Sequence, residues 1–140
     1  MRALTLAAML LAAVFVGPVA ADERPFTGAF EGTGHACSGN LYIREKTAEW
    51  NTPFSVCKPA RYEGLEKDFA GEHKRLALRI KSRSRRCAYE VFEVEQVSRY
   101  GWNANAYQSL EAFQKRSQPD WQNSPLPERL TLSCPTILLD

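Results

Sequence analysis

The chain has 140 residues, with 18 Lys and Arg against 16 Asp and Glu and 44% hydrophobic residues. That length suits one domain with a single buried core. The near balance of charge removes the global basicity expected of a nucleic-acid binder, and the apolar and aromatic content excludes a disordered chain.

The first element is a leader. Met1 and Arg2 make a short positive start, and Leu4 to Val16 is apolar apart from Thr5. Gly17-Pro18 breaks the run, and Val19-Ala20-Ala21 puts small residues before Asp22. This order of parts predicts a secretory signal peptide over 1–21, cleaved between Ala21 and Asp22. The apolar run is shorter than the ~20 residues a membrane-spanning helix needs, so no membrane span is expected. The rest, 22–140, reads as one exported domain, periplasmic or secreted.

"FTGAFEGTG" (26–34) alternates Phe26, Gly28 and Phe30 against Thr27, Ala29 and Glu31 and predicts a first strand. A glycine-rich bend follows. "GTGHACSG" lacks the helix and the Lys-Ser/Thr pair of a phosphate-binding loop, so turns and bulges account for its glycines. "LYIR" and "AEWNTPFSVC" predict a hairpin turning near Thr47, with Pro53 interrupting the return strand. "KPARYEGLEKDFAGEHK" (58–74) is polar and broken by Pro59, Gly64 and Gly71, and reads mainly as connection. "RLALRIK" (75–81) alternates Leu76, Leu78 and Ile80 against Ala77, Arg79 and Lys81. After the basic turn "SRSRR", "CAYEVFEVEQV" (87–97) returns, giving the strongest hairpin signal in the chain. "NAYQSLEAFQKRS" repeats Tyr107, Leu110 and Phe113 every three residues. Asn105 and Gln108 are spaced as a capping box, so this reads as a helix. "ERLTLSCPTIL" predicts a closing strand. The sum is a mainly β (α+β) domain: a small antiparallel sheet or barrel with one short helix packed on it.

An exported domain with four cysteines implies two disulfides. Three connectivities are possible. A hairpin centred on Thr47 sets Cys37 opposite Cys57, although Cys57 is out of parity with Phe54 and Val56, and strand parity favours Cys87–Cys134, at opposed ends of antiparallel strands. The alternative for Cys37 is a reactive thiol beside His35. No Cys-x-x-Cys lowers its pKa, and the ligands for a metal site are too few. No cofactor or metal is therefore expected.

Two clusters are candidate binding sites. Lys74, Arg75, Arg79, Lys81, Arg83, Arg85 and Arg86 fall in a stretch with no acid. Its tip, Lys81, Arg83, Arg85 and Arg86, fits an anionic partner, while Glu90, Glu93 and Glu95 on the next strand are placed to neutralise part of it. Tyr100, Trp102 and Tyr107 sit near Asn103 and Asn105, as in the wall of a carbohydrate or apolar-ligand cleft, or as rings sealing the helix to the sheet. No catalytic constellation is visible. Glu45, Glu49 and Glu63 form no recognisable pair, and Ser38, Ser55 and His73 lack a nucleophile-elbow context. The expectation is a non-enzymatic binding module of a bacterial envelope, contacting a protein or an anionic envelope component. A small-ligand carrier comes second and an enzyme third.

Overall fold

The computed structural model describes residues 24–123 and 131–139. The leader 1–21, its cut before Asp22, and Glu128–Leu130 of the expected last strand lie outside them.

Eight antiparallel strands close a barrel in simple up-and-down order. They are β1 (Gly28–Gly32), β2 (Gly39–Ile43), β3 (Thr47–Thr52), β4 (Ser55–Asp68), β5 (Arg75–Ile80), β6 (Val91–Gln96), β7 (Gly101–Tyr107) and β8 (Thr131–Leu139). A short helix, α1 (Leu110–Lys115), lies between β7 and β8. β1 pairs with both β2 and β8, which closes the sheet and leaves no full-length edge strand. One rim, called upper here, carries the β1–β2, β3–β4 and β5–β6 connections. The lower rim carries the β2–β3, β4–β5 and β6–β7 connections, the start of β1 and the end of β8.

Period-two patterning sends apolar side chains inward. Phe30, Leu41, Ile43, Trp50, Leu76, Leu78, Phe92, Val94 and Trp102 form one buried cluster. The β5–β6 hairpin has the expected parity, with Leu78 opposite Phe92 and Leu76 opposite Val94. A second apolar patch lies outside the barrel, where α1 places Ala112 and Phe113 over Ala77, Val91 and Tyr107.

The disulfides join Cys37 to Cys134 and Cys57 to Cys87, so the expected pairing is wrong in both halves. Two features of the register explain it. The first hairpin pairs Leu41 with Trp50 and Ile43 with Ala48, so it turns before Thr47. Pro53-Phe54 then form a second tight turn, with Thr52 opposite Ser55. Cys57 therefore lies on β4, one strand beyond the hairpin that was to hold it opposite Cys37. In the second half, β6 begins only at Val91 and pairs with β5 and β7, not β8. Cys87 thus has no strand partner at Cys134.

Each disulfide spans a place where neighbouring strands have slipped past one another, as the stagger of a barrel requires. β8 pairs with β1 only from Thr136 onward, and Cys37, just ahead of β2, reaches across to Cys134 with Cα atoms 5.5 Å apart. β4 pairs with β5 only from Tyr62 onward, and Cys57 reaches Cys87 in the β5–β6 loop with Cα atoms 4.4 Å apart. At the start of β2, Gly39 lets the chain pass close to β3: its φ is +131°, and a Cβ there would lie 1.9 Å from the Asn51 carbonyl oxygen.

Two elements depart from expectation. Residues 58–68, read as connection, are most of β4. Pro59 is tolerated because a register shift between Ala48 and Trp50 places it at an irregularity in the ladder. The expected helix over "NAYQSLEAFQKRS" begins later. Asn105, Ala106 and Tyr107 belong to β7, and Ser109 is the true cap, its side chain accepting the Ala112 N–H. Trp102, Ala104 and Ala106 supply the inward alternation that marks 101–107 as strand.

Candidate functional site

The structure divides the basic run into three parts. Arg75 and Arg79 stand on the outer face of β5 and are neutralised. Arg75 pairs with Glu93 at 2.6 Å and Glu66 at 2.8 Å, and Arg79 with Glu90 at 2.9 Å and Glu63 at 3.5 Å. Burial works against the Arg75 charge, but Glu93 and Glu66 outweigh it and hold its pKa above the ordinary value. Lys81 lies apart, in a groove shared with Lys46 and Arg61.

Arg83, Arg85 and Arg86 crown the upper rim in the loop between β5 and β6. This loop is tied down at several points. Cys87 is bonded to Cys57. The Ser84 hydroxyl donates to the Val56 carbonyl at 2.9 Å and accepts the Lys58 N–H at 3.1 Å. The Val56 N–H donates to the Arg86 carbonyl at 3.1 Å, and the Ala88 N–H donates to Ser55 Oγ at 3.0 Å. Fixed backbone thus presents long cationic side chains to solvent. Arg83, Arg85, Arg86 and the neighbouring Lys58 are all exposed, and among the described residues no carboxylate pairs with any of them. The Arg83 guanidinium donates to the Gln108 carbonyl at 3.3 Å, which leaves its charge uncompensated. Two clefts flank Arg85: one of about 490 Å³ with Arg83 and Gln108, the other of about 310 Å³ with Val56, Lys58 and Arg86.

On the same rim the β3–β4 turn presents Phe54, 70% exposed, with the His35 ring edge-on at 5.8 Å between centroids. Sequence reasoning missed Phe54 and Lys58. The signal was a large aromatic placed directly after proline in a tight turn, where no core position exists for it.

The aromatic trio is not one wall. Trp102 is inside the barrel, its ring 5.3 Å from Phe30. Tyr107 is on the outer face beneath α1, its ring 5.3 Å from Phe113. Tyr100 is 71% exposed in the β6–β7 turn. A cleft with Trp102 and Tyr107 together at its mouth is therefore excluded. Adjacent residues of a strand point to opposite faces, and an odd spacing of five separates these two in the same way.

A polar cluster escaped the sequence reading. Glu93 is buried on the outer face between sheet and helix. One carboxylate oxygen accepts from Asn105 at 3.1 Å and from the Tyr107 hydroxyl at 3.0 Å. The other accepts both Arg75 Nε and Nη2, at 3.0 and 2.6 Å, and faces Arg116 at 3.2 Å. Burial and the Glu93 charge push the Tyr107 phenol far above its ordinary pKa of 10.0. Arg116 in turn donates to the Phe113 carbonyl at 2.7 Å and stacks over its ring. Every lone-pair direction of Glu93 is taken, so this group is a clamp fastening α1 to the barrel. Ser55 and His73 are likewise engaged in local backbone contacts, with Ala88 and Gln96.

Comparison with protein-family models, with curated proteins and with solved structures found no match. Among the described residues no helix is long and apolar enough to cross a membrane. The two disulfides are consistent with an oxidising, extracytoplasmic location.

Proposed function

We propose that this chain is an exported, non-catalytic binding module that docks an anionic partner through its upper rim. The leader 1–21 delivers it to the periplasm or the exterior, where the staples form. The observation that carries this reading is the exposed cluster of Arg83, Arg85 and Arg86, on a loop pinned by a disulfide and hydrogen bonds, with Lys58 of β4 beside it, none of them paired with a carboxylate among the described residues. Pinning matters because the cost of ordering long side chains and a loop is subtracted from affinity. Arginines with an exposed aromatic on the same rim, here Phe54, are the composition enriched among the residues that dominate binding energy at interfaces. The clefts beside Arg85 suit protruding carboxylates or phosphates better than a flat surface does.

The test uses the oxidised protein with defined probes: an acidic polypeptide, vesicles of anionic phospholipid, and lipopolysaccharide. Arg83→Glu, Arg85→Glu and Arg86→Glu are combined in one variant, with Phe54→Ser as a second. The expected result is saturable binding to one probe, weakening as salt rises because the screening length falls from ~10 Å at 0.1 M to ~3 Å at 1 M. Charge reversal abolishes binding, and Phe54→Ser weakens it while preserving the salt slope. Binding by wild type and the charge-reversed variant that is equal at every salt concentration refutes the reading. So does failure of wild type to bind any of the three.

A further inference from the structure

The lower rim holds a site of another kind, and its existence does not depend on the docking reading. β4 pairs with β3 only as far as Arg61, opposite Thr47. It pairs with β5 from Tyr62 onward. Residues 62–68 therefore have a strand neighbour on one side only. Where β3 has ended, the barrel wall is open, and a cleft of about 460 Å³ enters it.

The cleft is apolar within and charged at its mouth. Its floor is Leu76 and Leu78, 6% and 1% exposed. Phe26 forms one side, anchored against Phe69, Phe30 and Trp102. Tyr62 forms another, its hydroxyl held by the carbonyls of Arg44 at 2.7 Å and Glu45 at 3.1 Å. Gly64 lies opposite Leu78, and cross-strand partners share a face, so it faces the same interior. A Cβ built on Gly64 would meet no atom within 4 Å. Gly64 therefore leaves open space on the inner face, opposite Leu78, where a side chain would otherwise stand.

Lys67 lies opposite Leu76 and shares its face. Its ammonium donates to the Arg24 carbonyl at 3.3 Å and sits 5.3 Å from the Phe69 ring centroid. Among the described residues no carboxylate pairs with it, so a carbonyl and a ring face leave its positive charge unneutralised. Glu45, from the β2–β3 turn, lines the same cleft. The volume lies within the usual range for small-molecule sites.

We infer that this cleft binds a single-chain amphiphile with an anionic head, its tail over Leu76, Leu78 and Phe26 and its head on Lys67. The tail is slim because it enters through a gap between strands. The head is anionic because Lys67 is, among the described residues, the one cation lining the cleft; of the two carboxylates that line it, Glu66 is paired with Arg75 and Arg116, and Glu45 opposes that head.

The experiment titrates the oxidised full chain with 11-(dansylamino)undecanoic acid, followed by dansyl emission and by displacement with laurate. Saturable one-site binding is expected. Gly64→Leu extends a side chain into the cleft from a position whose Cβ meets no atom within 4 Å, so it should fold with an unchanged or higher melting temperature and bind the probe at least tenfold more weakly. Lys67→Gln, an exposed change that spares the fold, should weaken laurate by about three- to fivefold and leave dodecanol unaffected, while Glu45→Gln should tighten laurate. The inference is overturned by absence of saturable binding, by a folded Gly64→Leu protein that binds as wild type does, or by laurate affinity indifferent to Lys67. Arg85→Glu serves as a control and should leave probe binding unchanged, which separates failure here from failure at the upper rim.

Discussion

Glu93→Gln tests the packing of the outer face most directly. The carboxylate is 4% exposed, while its partners Arg75 and Arg116 are 32% and 17% exposed. The substitution keeps size and shape but removes the charge and turns an amide N–H₂ toward one set of donors. If the N–H₂ faces Arg75 and Arg116, donors oppose donors. If it faces Asn105 and Tyr107, their hydrogen bonds are lost. Either way Arg75 and Arg116 keep only the half-exposed Glu66 as counterion, so the loss falls below that of a fully buried pair, at about 2–3 kcal/mol. Against a total of about 5–15 kcal/mol for a domain, that is a large share. Arg79→Ala is the matched control. Arg79 is 39% exposed and its partners Glu90 and Glu63 are 25% and 47% exposed, so its loss should cost only about 0–1 kcal/mol. Urea unfolding followed by tryptophan fluorescence reads both variants, because Trp50 and Trp102 are buried in the barrel. A Glu93→Gln protein no less stable than Arg79→Ala would show that the cluster does not hold α1 in place. Combining Glu93→Gln with Arg116→Met should recover part of the loss, since the orphaned charge is then removed.

The disulfides should rank by the loop each closes. With separations of 97 and 30 residues, replacing Cys37 and Cys134 by serine should cost about 4.7 kcal/mol and replacing Cys57 and Cys87 about 3.7 kcal/mol. Denaturation midpoints check the order, and a non-reducing peptide map that finds Cys37 bonded to Cys57 would refute the connectivity itself. Stability should fall as pH rises above about 10: the Tyr107 phenol, raised from its ordinary 10.0, stays protonated in the fold while the unfolded chain ionises, so the unfolded state binds fewer protons and is favoured. Ultraviolet titration at 295 nm should find tyrosine that ionises only on unfolding, and a Tyr107→Phe protein should lose less stability over the same window. Gly39→Ala should cost at least about 2 kcal/mol, through positive φ and overlap with the Asn51 carbonyl. Gly64→Ala should be neutral or stabilising by about 0.5–1 kcal/mol; melting temperatures of the two variants test the contrast.

Class and parity were readable from the chain, and pairing was not. Leu76, Leu78 and Ile80 announced an inward face because alternation is local. The same is true of Phe30, Leu41 and Ile43. The disulfides needed the number of strands between cysteines, and that number hung on two short features. One was a turn at Pro53-Phe54 that looked like a kink in a single strand. The other was β4, hidden because most of its residues are solvent-facing or line the open gap and so carry no apolar alternation. "NANAY" misled because alanine favours helices while also fitting the crowded interior of a small barrel, where Ala104 and Ala106 are fully buried. The tip arginines could be named in advance. Phe54 and Lys58 could not be joined to them, since the Cys57–Cys87 bond and the hydrogen bonds of Ser55, Val56 and Lys58 to the loop link segments about 30 residues apart. Glu93 was noticed as a charge on a strand, but its partners come from β5, β7 and α1, and no spacing along one segment encodes that meeting.

Because the first and last strands lie side by side and antiparallel, with Ala29 opposite Leu139, β1 begins and β8 ends at the lower rim. Any handle attached ahead of Gly28 or beyond Leu139 leaves the molecule on that side. A protein immobilised through such a handle offers its arginine crown outward to the solution, while the opening beneath Phe26 faces the support. Measurements at the two ends of the barrel therefore call for opposite arrangements. A tethered protein suits the crown, and the freely diffusing, tag-free protein suits the opening.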